Sequence, residues 1–177
     1  MKDFLTSSAK PKTCGAEIIS SNNFPDEVQG NVLFNTFIGF QGIKQHRIHE
    51  DGSGIIAHET TPLLQSTDPN FRPVDLQFGP DGALYVADWY NPVINHGERA
   101  LRDTLRDHTH GRIRRITYKN KKLSPVIDLT KLTTEQLLDQ LKAYENRLRY
   151  RARTQLRQLP AETVIPALQK WIPALDA

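Results

Sequence analysis

Apolar and polar residues alternate with a period of two through most of the first 130 residues, and a 3.6-residue period replaces it afterwards. In 73–78, Val74, Leu76 and Phe78 fall on one face and Asp75 and Gln77 on the other, which predicts a half-buried strand. A second strand is predicted over 83–89, alternating through Leu84 and Val86 and reaching Asp88. Between them, Gly79-Pro80-Asp81-Gly82 suits a type I turn, because Pro80 pre-sets φ and Gly82 closes the turn. A third strand, 111–118, has Ile113, Ile116 and Tyr118 as its packing residues. Its alternation fails at Arg114-Arg115, which predicts a bulge. KLSPVIDL then reads as an outer edge strand over 123–129, where Pro125 costs no ladder donor.

An earlier stretch has the same layout. AEIIS and NVLFNTFIGF read as strands, and GIKQHRIHEDGSGIIAHET as a hairpin turning at Asp51-Gly52. His46, His49 and His58 are expected in its outer strands as surface residues. The pattern therefore predicts a lead-in over 1–14 and two four-stranded antiparallel units, 15–66 and 71–129, each the size of one propeller blade. Two blades cannot close a ring, so the chain is expected to be a fragment of a larger propeller or a partner to its missing blades.

From residue 131 the pattern is helical. Thr133-Thr134-Glu135-Gln136 matches a capping box, and Leu137, Leu138, Leu141 and Tyr144 make an apolar stripe. A second helix is expected from Asn146 to Gln158, bristling with arginines. A third, starting near Ala161, carries Ile165, Leu168 and Trp171, with Pro166 inside it. The fold class expected is mainly β with an α-helical tail.

Between the second and third strands of the second unit lies loop 91–110. It holds three of the chain's six histidines (His96, His108, His110), three arginines and two aspartates. A polar loop of this length inside a domain is commonly functional or disordered. Arginine forks suit carboxylate-bearing cofactors, and a histidine beside an aspartate can act as a base. The competing reading is structural: Arg102-Asp103 and Arg106-Asp107, four apart, would make a salt-bridged helical turn. Asp88 is read as a strand-end cap.

Charge is unevenly spread. Residues 1–98 carry 6 basic and 12 acidic groups, whereas 99–157 carry 16 basic and 6 acidic. No aromatic platform or nucleic-acid motif accompanies the basic half, so no nucleic-acid partner is expected. No run approaches the ~20 apolar residues of a membrane-spanning helix, and the N-terminal stretch lacks the apolar core of a secretory signal. The single cysteine, Cys14, excludes an internal disulfide and a covalent haem site in this chain.

FRPVDLQFGPDGALYVADWYNP, the loop's His and Arg-Asp pairs, and HGRIRRITY resemble the last blade of a bacterial family. These are the large membrane-bound dehydrogenase-like proteins of planctomycetes and verrucomicrobia, similar in turn to glucose/sorbosone dehydrogenases. The resemblance implies a six-bladed propeller followed by HEAT-like helical repeats, and oxidation of a sugar or polyol. It further implies pyrroloquinoline quinone and calcium as cofactors, cytochrome c as an electron-accepting partner, and a periplasmic or membrane-associated location. The candidate cofactor-binding residues are His96, Arg102, Asp107, His108, His110, Arg112 and Arg114, expected around the axial mouth. No catalytic base is assigned. The alternative is a non-catalytic propeller and helical-repeat interaction module, or a truncated remnant.

Overall fold

A computed structural model describes residues 12–94 and 99–173 of the chain. It contains two open antiparallel sheets and three helices. The first sheet orders β1 (Lys12–Ile18), β2 (Val32–Ile38), β3 (Gly42–Asp51) and β4 (Gly54–Glu59), with the short β5 (Leu64–Gln65) also pairing with β3. The second orders β6 (Pro73–Phe78), β7 (Leu84–Asp88) and β8 (Arg112–Ile116). The sheet start therefore lies inside the expected lead-in, at Lys12.

The two sheets pack through β6, which lies against β1 and β2. Leu33 and Ile43 from the first sheet meet Leu76, Phe78, Leu84 and Val86 from the second, with Ile19 and Phe24 closing one end. All eight side chains are at most 6% exposed, which at about 1.5–3 kcal/mol each makes this cluster the main force joining the sheets. Two irregular strands meet at the contact. β1 shifts register between Cys14 and Ala16, and β6 between Pro73 and Asp75. Gly15 bridges them with φ +53; a Cβ there would sit 3.0 Å from Asp75 Cα and 3.1 Å from Val74 O. Only glycine fits both the left-handed conformation and that approach.

Several expectations are corrected. Val74 does not share the face of Leu76 and Phe78, because the β6 bulge turns it outward. The bulge expected at Arg114-Arg115 is absent: β8 pairs continuously with β7 from Arg112↔Asp88 to Ile116↔Leu84. In that register Arg112 and Arg114 share the face of Val86 and Asp88, so Ile113 points away from the core and is 69% exposed. No strand forms over 123–129. The buried Asn23 accepts from Tyr118 N and donates to Lys121 O, drawing the chain off the end of β8, and Ser124 N bonds to Asp81 O instead. His46 is not a surface residue but 1% exposed, edge-on to Phe34. Burial there lowers its pKa, against the pull of Glu59.

Helix α1 (Thr134–Asp139) has the expected capping box: Thr133 Oγ1 accepts from Gln136 N, and Gln136 Oε1 accepts from Thr133 N. It continues as a 3₁₀ turn over Gln140–Lys142. Helices α2 (Asn146–Leu156) and α3 (Ala161–Trp171) pack on it around Leu137, Leu138 and Leu156. Tyr144 and Ile165, expected in the stripe, are about half exposed; Val164 and Ala167 pack there in place of Ile165. Pro166 sits inside α3 as expected. Among the described residues no helix is long and apolar enough to cross a membrane.

Alternating strand directions give the paired sheets two distinct ends. The β2–β3 turn, segment 66–72 and loop 89–111 share one end. The β1–β2 connection, the β6–β7 turn and the helical tail share the other. The tail is stitched there by polar contacts: Arg147 to Glu17 at 2.5 Å, and Glu145 Oε1 accepting from Asn22 N and Ser124 Oγ.

Candidate functional site

The loop end is built on Asp88, whose side chain is fully buried at the last position of β7. Its Oδ1 accepts from the backbone amides of Arg72 and Tyr90, both at 2.9 Å, and its Oδ2 accepts from Arg112 Nε at 2.8 Å. The strand-end cap expected from the sequence is therefore also the anchor of an ion-pair cluster. Holding Tyr90 N in place accompanies an unusual backbone: Tyr90 has φ 54, the only described non-glycine residue in the left-handed region. That geometry lays its ring under the Arg112 guanidinium, 3.6 Å from carbon to ring centroid. Arg112 also donates to Asp68 Oδ2 at 3.2 Å, while Arg114 Nε stands 3.8 Å from Asp88. These two acids hold the Arg112 pKa above its usual value despite desolvation.

Two buried arginines fix the loops around this anchor. Arg72 donates from Nε to Asn91 O, from Nη1 to Phe37 O and from Nη2 to Pro92 O, so one side chain ties β2, β6 and the start of the loop together. Burial lowers its pKa, with Asp68 and Asp88 opposing. Arg106 likewise donates to the carbonyls of Ala100, Val93 and Arg99. Buried carbonyls need donors, and an arginine fork supplies several at once. Hydrophobic periodicity carries no trace of either role.

Asp107 organises the loop's return. Its Oδ1 accepts from Thr109 N and His110 N at 2.9 Å, and Oδ2 lies 2.7 Å from His110 Nδ1. The Thr109 amide first, then His110, holds this carboxyl well below the usual aspartate range. His110 in turn meets Tyr90 edge to face at 5.9 Å. Asp103 repeats the motif one step earlier, accepting from Leu105 N and pairing with Arg99 at 3.4 Å. The helical turn with Arg102-Asp103 and Arg106-Asp107 pairs is not what forms; these are consecutive aspartate-capped turns.

Of the seven candidate residues, the structure gathers Asp107, His110, Arg112 and Arg114 around Tyr90 and Asp88. His108 and Arg102 are exposed on the same loop. His96 lies outside the described residues. A cleft of about 440 Å³ runs along the loop, lined by Asn70, Leu105, Asp107, His108 and His110 among others. Its chemistry is constrained by how completely the charges are used. Asp68, Asp88, Asp103 and Asp107 all accept from arginine, histidine or backbone amides, and no group of three His, Cys, Asp or Glu residues among those described could hold a metal ion. Calcium needs six to eight oxygen ligands, so the described residues do not form its seat. The Arg112 fork is already matched to two carboxylates and does not fit a quinone carboxylate without losing one. Arg114, half exposed and 3.8 Å from Asp88, is less engaged than Arg112.

Residues 6–120 match the family model described as Domain of unknown function (DUF7133). No curated protein and no solved structure matches the chain.

Proposed function

The chain belongs to the DUF7133 family, and on that premise we propose that it supplies two adjoining blades of a β-propeller, followed by the first HEAT-like helices. The packing of β6 against both β1 and β2 carries this reading, because neighbouring blades meet through their faces in the same way. The common placement of three connections at one end supports it. So does the exposure of Ile113 and Val74 on the outer face of the second sheet, at 69% and 36%, where a further blade would lie.

Within such a propeller, a dehydrogenase-like protein acting on sugars or polyols, loop 89–111 would border the axial mouth. Its role is to hold that rim rigid through Asp88, Arg72 and Arg106, with Arg102, His108 and Arg114 turned toward whatever occupies the mouth. The described residues offer calcium no seat, whereas a quinone carboxylate at the mouth would meet Arg114.

Sedimentation velocity tests the blade reading. The 177-residue chain should associate through its uncovered sheet faces, and Ile113→Lys, which places a charge on that face, should shift it toward monomer. A wild-type chain that stays monomeric across the accessible concentration range would overturn it.

A further inference from the structure

Strands β3 and β4 form a hairpin in unbroken register from His46↔Glu59 to Asp51↔Gly54, turning through Gly52, which has φ +59. β4 is the outer strand of its sheet. Arg47 lies opposite His58, and His49 opposite Ile56, so the two histidines are diagonal neighbours on one face. Aromatic side chains reach each other across that diagonal. The two rings stack with centroids 4.9 Å apart and planes 8° from parallel.

Both histidines are exposed, and neither ring makes a hydrogen bond among the described residues. The pair differs in this from His46, buried on the other face of β3, and from His110, whose Nδ1 is engaged by Asp107. All four ring nitrogens of His49 and His58 face water, where a ligand reaches them directly. Asp51 and Arg47 stand two positions to either side of His49 on the same face, so one negative and one positive charge flank the pair.

We propose that His49 and His58 together chelate a divalent transition-metal ion of the class that takes imidazole ligands, such as zinc. The lone pair of a ring nitrogen lies in the ring plane, so the stack supplies proximity and the rings must turn to grip the ion. Rotation about the Cβ–Cγ bond, a broad torsion in histidine, lets one nitrogen of each ring come to the ~3.3 Å separation that two zinc–nitrogen bonds of about 2.0–2.1 Å need at a tetrahedral angle. Water completes the shell, since no group of three His, Cys, Asp or Glu side chains gathers among the described residues. The hairpin holds the second imidazole beside the first at a high effective concentration, which separates chelation from two independent contacts.

The probe is Zn²⁺, titrated into the full 177-residue chain and followed by ¹H–¹⁵N NMR. Saturable binding is expected, with shifts centred on His49 and His58. His49→Ala and His58→Ala should each weaken binding at the hairpin by about tenfold or more, because the remaining imidazole then binds alone. Both side chains are exposed, so neither substitution touches the core. Glu50→Gln, on the opposite face of β3, should change the affinity far less. Ca²⁺, which takes oxygen ligands, should leave the hairpin resonances in place. No saturable shifts at the pair, the same shifts with Ca²⁺, or wild-type affinity retained by either alanine variant would overturn the proposal.

Discussion

Replacing Asp88 should show how much of the loop end rests on one carboxylate. In Asp88→Ala, the amides of Arg72 and Tyr90 lose their acceptor in a buried setting, and Arg112 loses its 2.8 Å partner. Each stranded donor costs about 1–3 kcal/mol, and breaking a buried ion pair costs about 3–5 kcal/mol, terms that overlap rather than add. Asp68 still holds Arg112 from the solvent side, which limits the loss. The expected destabilisation is therefore about 3–5 kcal/mol. Asp88→Asn keeps an oxygen for the two amides but faces Arg112 Nε with a second donor and no charge, so about 1.5–3 kcal/mol is expected. Urea unfolding followed by tryptophan fluorescence measures both, because Trp89 directly follows Asp88. Amide exchange at Arg72 and Tyr90 should accelerate in the alanine variant and stay slow in the asparagine one. Equal costs for the two substitutions, or less than about 1 kcal/mol for alanine, would refute the role assigned to Asp88.

Gly15→Ala should destabilise by at least about 1–2 kcal/mol, since it adds a Cβ 3.0 Å from Asp75 Cα at a residue with φ +53; chemical denaturation checks it. Asp107, whose folded pKa is depressed, contributes stability that is present above its unfolded value of about 3.9 and lost as pH falls through the lower folded value. Its ¹³C carboxyl shift should therefore still report the ionised form at about pH 3, and a midpoint near the ordinary aspartate value would refute the capping role. Thr133→Ala should cost about 1 kcal/mol by removing the side-chain acceptor for Gln136 N, and should loosen amide exchange in α1 without affecting β7.

Most strands were legible in the sequence because alternation reports which side of a sheet a residue faces. β2, β3, β4 and β7 lie where their apolar residues place them, and Thr133 and Gln136 announce α1 with the chemistry that caps it. Alternation does not report ion pairing across strands. That is why Ile113 reads as a core residue: the Asp88–Arg112 pair turns that face of β8 over to arginines and sends the isoleucine outward. Nor does alternation show an edge strand being drawn away by a distant side chain, as Asn23 does at Tyr118 and Lys121. At the candidate site the sequence singled out the loop but not what holds it. Arg72, between Phe71 and Pro73 at the start of a strand, bonds to Phe37, Asn91 and Pro92, none of them close to it in the chain. Arg151 was one arginine among four on its helix, distinguished only by a buried Nε that its neighbours leave unpaired.

The blade reading rests on the meeting of the two bulged strands, β1 and β6, and nuclear Overhauser contacts between Gly15 and Asp75 test it most directly. With a Cβ position on Gly15 only 3.0 Å from Asp75 Cα, the α-protons of the two residues should give a cross-peak in the ¹³C-edited spectrum. Cys14 Hβ should see Pro73 as well, as its thiol donates to Pro73 O at 3.4 Å. If β1 shows contacts to β2 alone and none to 73–75, the two sheets do not pack as adjoining blades and the placement of loop 89–111 at a shared mouth fails with it.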